Sequence, residues 1–217
     1  MMTGSTKTTM NPLELATHGP VIPVIVIDRL EDAVPLAQAL VDGGVKVLEI
    51  TLRTPIALQC MEAIARAVPQ AIVGAGTVRN VADAQAAKNA GCTFAVSPGY
   101  LSSVGLACRD IGLPLLPGVA TGSEVMQANA DGYNFLKFFP ATAAGGIPML
   151  KALAGPFTDV VFCPTGGITY ETAPQFLALP NVKVCGGSWL TPADAVAAKD
   201  WARITKLAQQ ASGLKRS

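Results

Sequence analysis

The stretch LAQALVDGGVKVLEI, residues Leu36–Ile50, contains a helix-like segment, a glycine pair and a short apolar run. Glycine after the last turn of a helix tolerates the left-handed conformation that ends it. The run that follows the glycines is too short for a helix and is rich in valine, isoleucine and leucine, as buried strands are. The stretch therefore predicts one helix followed by one buried strand.

The same pattern recurs along the chain. It is found in AQAAKNAGCTFAVSPG (Ala84–Gly99), LACRDIGLPLLPG (Leu106–Gly118) and MQANADGYNFLKFFP (Met126–Pro140). In each case a glycine separates a helix-like segment from a short apolar run. Helices that alternate with buried strands indicate βα units around a parallel sheet.

Eight candidate strands follow one another at intervals of roughly twenty-odd residues, which favours a compact (β/α)₈ barrel. They are Val21–Ile27, Val45–Leu52, Ala71–Gly74, Thr93–Ser97, Leu115–Val119, Asn134–Phe138, Val160–Pro164 and Val182–Cys185. We predict an α/β fold, a (β/α)₈ TIM barrel with an extra N-terminal helix from about Asn11 to Thr17. A doubly wound open sheet is the alternative, although no GxGxxG motif opens the first helix. Residues 1–217 are expected to form a single domain, frayed at 1–10 and 213–217.

The composition argues against several classes of partner. Half of the 217 residues are hydrophobic, 14% are charged, and the formal net charge is +1. This balance provides material for a large core but no electrostatic footprint for nucleic acid or an anionic membrane. No apolar run reaches the ~18 residues that a membrane span requires. A small anionic substrate fits the composition, because a local site needs only one or two positive groups.

Cysteine and histidine usage also limits the kind of site. The five cysteines are scattered and odd in number, which favours free thiols in a reducing cytoplasm. The N-terminus lacks the apolar core of a signal peptide, so we expect a cytoplasmic protein. His18 is the only histidine, which excludes a multi-histidine metal site, and no carboxylate or thiolate cluster suggests another. We expect no metal and no cofactor.

Lys137 is the residue whose position most needs explaining. It lies in YNFLKFFPA (Tyr133–Ala141), where alternation places Phe135, Lys137 and Phe139 on one face of a strand. Lys137 is near the C-terminal end of that strand, where the chemistry of a (β/α)₈ barrel takes place. Burial disfavours the charged form of a lysine, and a neutral amine attacks ketones to form a Schiff base.

Other strand lysines have a simpler interpretation. Lys46 and Lys183 lie near the starts of their strands, where a long side chain can extend to solvent while its stem covers apolar surface. The same explanation can apply to any lysine in an apolar run. Its position at the opposite end of the barrel distinguishes Lys137 from these two.

The second predicted strand supplies a partner for Lys137. In VKVLEITLRTP, alternation places Val45, Val47, Glu49, Thr51 and Arg53 on one face. A carboxylate inside a barrel is costly unless it is paired or functional, so Glu49 is a candidate general acid and base. Arg53, nearer the mouth, can hold a substrate carboxylate through paired hydrogen bonds. The alternative is a structural ion pair of Glu49 with Arg53 or Lys137.

Glycine-rich loops follow the third, seventh and eighth predicted strands. These are GAGT (Gly74–Thr77), PTGGI (Pro164–Ile168) and GGSWL (Gly186–Leu190). Glycines allow backbone N–H groups to surround an anion, and the loops after strands seven and eight form the usual phosphate site of this barrel. Any single glycine pair can also be an ordinary turn. Two pairs after consecutive late strands favour a phosphate site.

Together these motifs resemble a known family, the bacterial 2-keto-3-deoxy-6-phosphogluconate (KDPG) and 4-hydroxy-2-oxoglutarate (KHG) aldolases. The resemblance extends from GPVIPVIVI near the N-terminus to RITKLA near the C-terminus, and it is most specific in EITLRT, KFFPA and CPTGGI. It implies a class I, metal-independent aldolase on a (β/α)₈ barrel that assembles as a homotrimer. The implied substrate is a small phosphorylated keto acid, cleaved to pyruvate and glyceraldehyde 3-phosphate in the Entner–Doudoroff pathway, with cleavage of KHG as a second activity.

The resemblance also implies a role for individual residues. Lys137 would form the Schiff base and Glu49 would move the protons. The other implied substrate contacts are Arg53 and Thr77 for the pyruvate carboxylate, Gly166, Gly167 and Ser188 for the phosphate, and Pro98 and Phe139 for the pocket wall.

Three other functions remain open from the sequence. A related aldolase can share the lysine chemistry with another aldehyde partner. A phosphosugar isomerase or epimerase on the same barrel shares the phosphate loops without needing a Schiff base. A phosphosugar-binding barrel without catalysis can hold Lys137 in an ion pair with Glu49. Borohydride trapping with pyruvate separates the aldolases from the other two.

Overall fold

A computed structural model describes residues 12–216 of the chain, in which short parallel strands alternate with helices. The strands are β1 Val21–Ile25, β2 Val47–Thr51, β3 Ile72–Gly76, β4 Phe94–Val96, β5 Leu115–Leu116, β6 Gly118–Val119, β7 Phe135–Phe138, β8 Val161–Pro164 and β9 Cys185–Gly187. The helices are α1 Leu30–Asp42, α2 Ala57–Ala67, α3 Val81–Asn89, α4 Ser102–Asp110, α5 Gly122–Ala130, α6 Gly146–Ala154, α7 Ala173–Leu177, α8 Ala193–Ala197 and α9 Trp201–Ser212. None of the helices within residues 12–216 combines the length and apolar character needed to cross a membrane.

Glycine ends several of the helices, as the repeated pattern predicts. Gly44, Gly91 and Gly132 have φ angles of 88°, 86° and 88°, which belong to the left-handed region. A side chain is strained there, whereas glycine is not. Each of these glycines lies a few residues before a strand, so in these three units the chain turns from helix to sheet at the same point.

The strands pair in parallel in two sheets. One has the order β5-β4-β3-β2-β1-β9 and the other the order β6-β7-β8. Isolated parallel bridges join Phe162 to Val182 and Thr165 to Gly186, between β8 and the β9 region. The result is an α/β fold whose parallel strands form a curled half-barrel. The first strand lies beside the last, an arrangement that a doubly wound open sheet lacks.

Side chains on the two sides of the strands form separate clusters. One cluster is enclosed by the strands and contains Ile22, Val47, Phe94 and Phe135. The others lie between the strands and the helices, and include Leu48 and Ile50 of β2 and Leu136 and Phe138 of β7. The predicted alternation is therefore confirmed within the bounds of β2 and β7, and it assigns Lys137 and Glu49 to the interior. Lys46 and Lys183 are exposed, as predicted.

Some predicted boundaries are wrong for local reasons. Val45 does not share the inner face, because its N–H bonds to Leu40 O at the end of α1 and its side chain packs with the helices. The fifth strand is interrupted at Pro117, which lacks the N–H that a continuous ladder needs. The last strand begins at Cys185, where its prediction ended, because Val182 makes only an isolated bridge.

The first and last segments that the structure describes lie beside each other, at the end of the fold opposite the carboxyl ends of the strands. The helix predicted from Asn11 begins outside the described residues, and Pro12–His18 form a 3-10 helix rather than an α-helix. The predicted frayed segment 1–10 and the last residue, 217, also lie outside them. After α9, the guanidinium of Arg216 donates hydrogen bonds to the carbonyl groups of Ala16 and Gly19.

Candidate active site

The centre of the site is an ion pair between two interior strands. Lys137 Nζ donates a hydrogen bond to Glu49 Oε1 at 3.1 Å, and the two side chains are only 5% and 4% exposed. Lys137 comes from β7 and Glu49 from β2, which are 88 residues apart in sequence. The ammonium also lies 5.3 Å from the centre of the Phe139 ring. A proton can pass directly between these two groups, because no other atom separates them.

Small residues around the pair make its burial feasible. Glu49 is opposite Gly74 on β3, and Lys137 is opposite Gly118 and Cys163. A Cβ atom on Gly76 would lie 2.4 Å from Glu49 Oε1 and 2.7 Å from its Cγ. Because such contacts are far inside van der Waals distance, the glutamate side chain occupies space that only glycine leaves free.

Cys163 lies next to Lys137 but is a poor nucleophile. Desolvation raises the pKa of its thiol to about 12, although the positive charge of Lys137 opposes the shift. Because the thiolate is the reactive form of cysteine, Cys163 stays neutral and inert. Lys137 is therefore the better nucleophile in this part of the interior.

Arg53 and Thr77 lie together at the carboxyl ends of β2 and β3. Arg53 Nε donates to Thr77 Oγ1 at 3.2 Å, and the guanidinium is exposed towards the mouth. Thr77 has a φ angle of 62°, in the left-handed region that a β-branched residue rarely adopts. Such strain is typical of functional sites, and here it turns the hydroxyl towards the arginine. The geometry thus presents a guanidinium and a hydroxyl at one position.

A cavity of about 320 Å³ opens above the ion pair. Among the residues predicted for the site, its wall contains Arg53, Lys137, Phe139, Gly166, Gly167 and Ser188. Three predicted site residues do not line it within residues 12–216: Glu49, Thr77 and Pro98. Glu49 contacts the cavity wall through its hydrogen bond with Lys137, and Thr77 through its hydrogen bond with Arg53. Pro98 is half-buried behind Gly118.

The glycine pair after β8 forms one side of this cavity. Gly166 and Gly167 have φ angles of 104° and 76°. A Cβ atom on Gly167 would lie 2.5 Å from Thr142 Oγ1, so both conformation and space require glycine there. Both loops predicted to bind an anion, after β8 and after β9, therefore meet in one wall.

Some wall residues were not predicted from the sequence. They include Val24, Val26, Thr165 and Ile168. The Thr165 hydroxyl is buried and donates to the Cys163 carbonyl at 3.3 Å, directly beside Lys137. Thr165 lies within the PTGGI motif, and its place beside the glycine pair is the signal that could have identified it as a wall residue.

Comparisons with known proteins give a consistent assignment. The sequence pattern of one family, KDPG and KHG aldolase, matches residues 13–207. The 2-dehydro-3-deoxy-phosphogluconate aldolase of Pseudoalteromonas atlantica is 51% identical, over 91% of this chain and 92% of its own. The KHG/KDPG aldolase of Escherichia coli is 52% identical over the same shares.

Solved structures agree with these sequence relatives. The KDPG aldolase of Legionella pneumophila, with pyruvate captured at low pH as a covalent carbinolamine intermediate, superposes with a TM-score of 0.92 at 48% identity. The match covers 94% of this chain and 99% of that one. The Zymomonas mobilis KDPG aldolase with 3-phosphoglycerate gives 0.90 at 47% identity, covering 94% and 96%. By its sequence and its fold, the chain belongs to the KDPG and KHG aldolase family.

Proposed function

We propose that the protein is a class I aldolase that reversibly cleaves 2-dehydro-3-deoxy-6-phospho-D-gluconate to pyruvate and D-glyceraldehyde 3-phosphate. The observation that carries the proposal is the buried contact of 3.1 Å between Lys137, which lines the cavity, and Glu49. A nucleophilic amine with a proton acceptor in hydrogen-bond reach is what Schiff-base formation needs. Family membership supports the same reaction.

Catalysis begins with proton transfer within this pair. Lys137 passes a proton to Glu49, and the neutral amine attacks the C2 carbonyl carbon of the keto acid. The nitrogen then loses one proton and the carbonyl oxygen gains one, giving a neutral carbinolamine and leaving Glu49 protonated. Glu49 then protonates the hydroxyl group, which leaves as water while the nitrogen lone pair forms the iminium. The direct contact between the side chains lets Glu49 serve each of these transfers.

The iminium then draws electrons from the bond that breaks. Glu49, directly or through a water, removes the proton of the C4 hydroxyl, and the C3–C4 bond cleaves as its electrons reach the nitrogen. The aldehyde leaves, and the lysine holds the enamine of pyruvate. Glu49 returns the proton to the methylene carbon, and water hydrolyses the resulting imine to pyruvate and free Lys137.

The remaining wall residues would bind the two ends of the substrate. Arg53, with Thr77 beside it, is suited to the pyruvate carboxylate, because a guanidinium offers paired hydrogen bonds to two oxygens. The loops holding Gly166, Gly167 and Ser188 would bind the phosphate through backbone N–H groups and a hydroxyl. Phe139 would cover the reacting carbons, and Pro98 would support the wall from behind.

A coupled assay tests this proposal. Incubation with KDPG and no added metal should release pyruvate, which lactate dehydrogenase detects as loss of NADH. The protein should also cleave KHG to pyruvate and glyoxylate, at a measurable rate that differs from its rate with KDPG. Lack of cleavage of both keto acids would refute the aldolase. Isomerisation or epimerisation of a phosphosugar would instead support the isomerase, and saturable binding without turnover would support a binding barrel.

Gly76→Ala should impair catalysis without touching a reacting group. The new Cβ would force Glu49 to move away from its present position, and a misplacement of about 1 Å can lower a rate by about 100-fold. We expect kcat to fall about 10- to 100-fold while the protein still folds. The control is Gly99→Ala, where an added Cβ meets nothing within 4 Å. Equal rates for both variants would show that the position of Glu49 is not critical.

The proposal also covers the complete fold and the assembly of the protein. We infer that the two sheets close into one (β/α)₈ barrel that forms a single domain, preceded by the short N-terminal helix. The bridges of Phe162 and Thr165 to the β9 region support closure. Through family membership we also expect a cytoplasmic homotrimer in the Entner–Doudoroff pathway, and light scattering should give three times the mass of one chain.

A further inference from the structure

A second space, which we call the side lobe, adjoins the cavity above Lys137. The side lobe has a volume of about 650 Å³ and lies between the turn after β1 and the segment after β9. Its wall includes Asp28, Arg29, Asp32, Ser188 and Thr191. Val24, Val26 and Ser188 line both spaces, so the two adjoin at a wall that contains Ser188, one of the residues proposed to bind the phosphate.

Arg29 has its guanidinium held in the side lobe in an unusual way. Its Nε donates to Asp32 Oδ2 at 2.7 Å, and among residues 12–216 neither terminal nitrogen has a hydrogen-bond partner. Arg53 at the mouth is likewise held through Nε alone. By contrast, the hydrogen bonds of Arg66, Arg109, Arg203 and Arg216 all use terminal nitrogens. The two arginines at the cavity thus keep their paired terminal N–H groups free.

Asp32 is placed to fix the direction of this guanidinium. It lies in the first turn of α1, is 2% exposed, and has one carboxylate oxygen in contact with Arg29. Its other oxygen, Oδ1, is buried without a hydrogen-bond partner in the described part of the chain. Burying a carboxylate costs free energy, and pairing with an arginine that is itself exposed does little to offset that cost. The position of Asp32 is explained if its carboxylate orients the guanidinium of Arg29 towards a ligand.

Charge balance indicates what the ligand group is. The proposed substrate carries a carboxylate at one end and a phosphate at the other. Arg53 is engaged with the carboxylate and Lys137 with the ketone, which leaves the phosphate without a cation in the main cavity. Among the described residues that line the two spaces, Arg29 is the remaining cation. Asp28 also lies in the side lobe, but it is exposed and makes no hydrogen bond to Arg29.

We propose that Arg29 is a specificity-determining residue that binds the distal phosphate of the substrate, and that Asp32 is a positioning residue that aims it. The inference rests on the proposed function. The terminal N–H groups of Arg29 would approach the phosphate from the side lobe, opposite the glycine pair of Gly166 and Gly167. KHG has no distal phosphate, and its second carboxylate is bonded directly to C4, several bonds nearer the reacting carbon than the phosphate, so KHG would make no use of Arg29.

The test compares two substrates in one set of variants. Arg29→Gln alone would leave Asp32 buried without a cation, so it is combined with Asp32→Asn. Because one charge-assisted contact contributes about 10- to 100-fold, the double variant should lose that factor in kcat/KM for KDPG, mainly through KM. Its kcat/KM for KHG should stay within about twofold. Arg29→Lys, which keeps a positive charge without the planar fork, should lie in between.

The control removes a similar pair elsewhere. Arg66 and Glu62 form an ion pair on the surface of α2, away from both spaces, and Arg66→Gln with Glu62→Gln should leave both substrates unaffected. An unchanged ratio of KDPG to KHG activity in a folded Arg29→Gln/Asp32→Asn variant would overturn the inference, as would an equal loss for both substrates. If the double variant does not fold, an Arg29→Lys enzyme with an unchanged ratio decides against it. Failure of the unsubstituted protein to cleave either substrate would refute the proposed function instead.

Discussion

Replacing Lys137 with alanine should reduce KDPG cleavage by at least about 10⁴-fold, because the nucleophile of a covalent mechanism has no substitute in the site. In the proposed reaction the electrons of the breaking C3–C4 bond move to the lysine nitrogen, and without that nitrogen no iminium forms to accept them. Among the described residues that line the cavity, Arg53 is the only other cation, and a guanidinium does not form imines at neutral pH. Steady-state rates at saturating KDPG measure the loss.

The stability of the Lys137→Ala protein has to be measured together with its activity. Removing the lysine leaves the Glu49 carboxylate buried without its partner, and breaking such a pair costs about 3–5 kcal/mol. Lys137→Met leaves the same carboxylate unpaired but keeps most of the side-chain volume, so it avoids the additional cavity that alanine creates. Lys46→Ala, at an exposed lysine near the start of β2, should keep full activity. Turnover retained by a folded Lys137→Ala or Lys137→Met protein would be incompatible with the Schiff-base mechanism.

Glu49→Gln should lower kcat by about 10²- to 10⁴-fold, the range that a positioned acid or base contributes. Glutamine keeps the size of the side chain and its oxygen can still accept the hydrogen bond of Lys137, but it cannot take up a proton. The imine should therefore still form, more slowly, while proton transfer at carbon fails. KM should change less than kcat, because Glu49 contacts the substrate mainly in the transition states.

Proton exchange at pyruvate isolates the role of Glu49. In D₂O the unsubstituted protein should exchange the methyl protons of pyruvate through the enamine, which NMR follows directly. The Glu49→Gln protein should lose this exchange even where borohydride still traps the imine. Glu62→Gln, at a surface carboxylate paired with Arg66, should exchange normally. Rapid exchange in the Glu49→Gln protein would assign proton transfer to another group.

The central pair could be predicted from the sequence because strand alternation is a local property. Residues two apart share a face, so the apolar neighbours of Lys137 and Glu49 indicated the interior without knowledge of the fold. The helices that end at glycine could be predicted for the same reason, because the left-handed conformation at a helix end favours glycine. Both features depend on the nearest few residues.

Other parts depend on contacts that the local sequence does not reveal. The last strand, Cys185–Gly187, is formed by residues of low strand propensity, and it exists because it pairs with Val21–Pro23. Thr165 and Val24 enter the cavity wall only through the curl of the sheet. The side lobe arises because two segments about 160 residues apart in sequence, around Arg29 and Ser188, face each other in the fold.

Borohydride trapping tests the central claim, that Lys137 forms an imine with the keto acid. The protein is incubated with pyruvate and sodium borohydride without added metal, and the intact mass and the peptide masses are measured. We predict an irreversible adduct of one reduced pyruvate on the peptide that contains Lys137, and none in the Lys137→Ala protein. No adduct, or an adduct on another lysine, in a protein that cleaves KDPG would contradict the account.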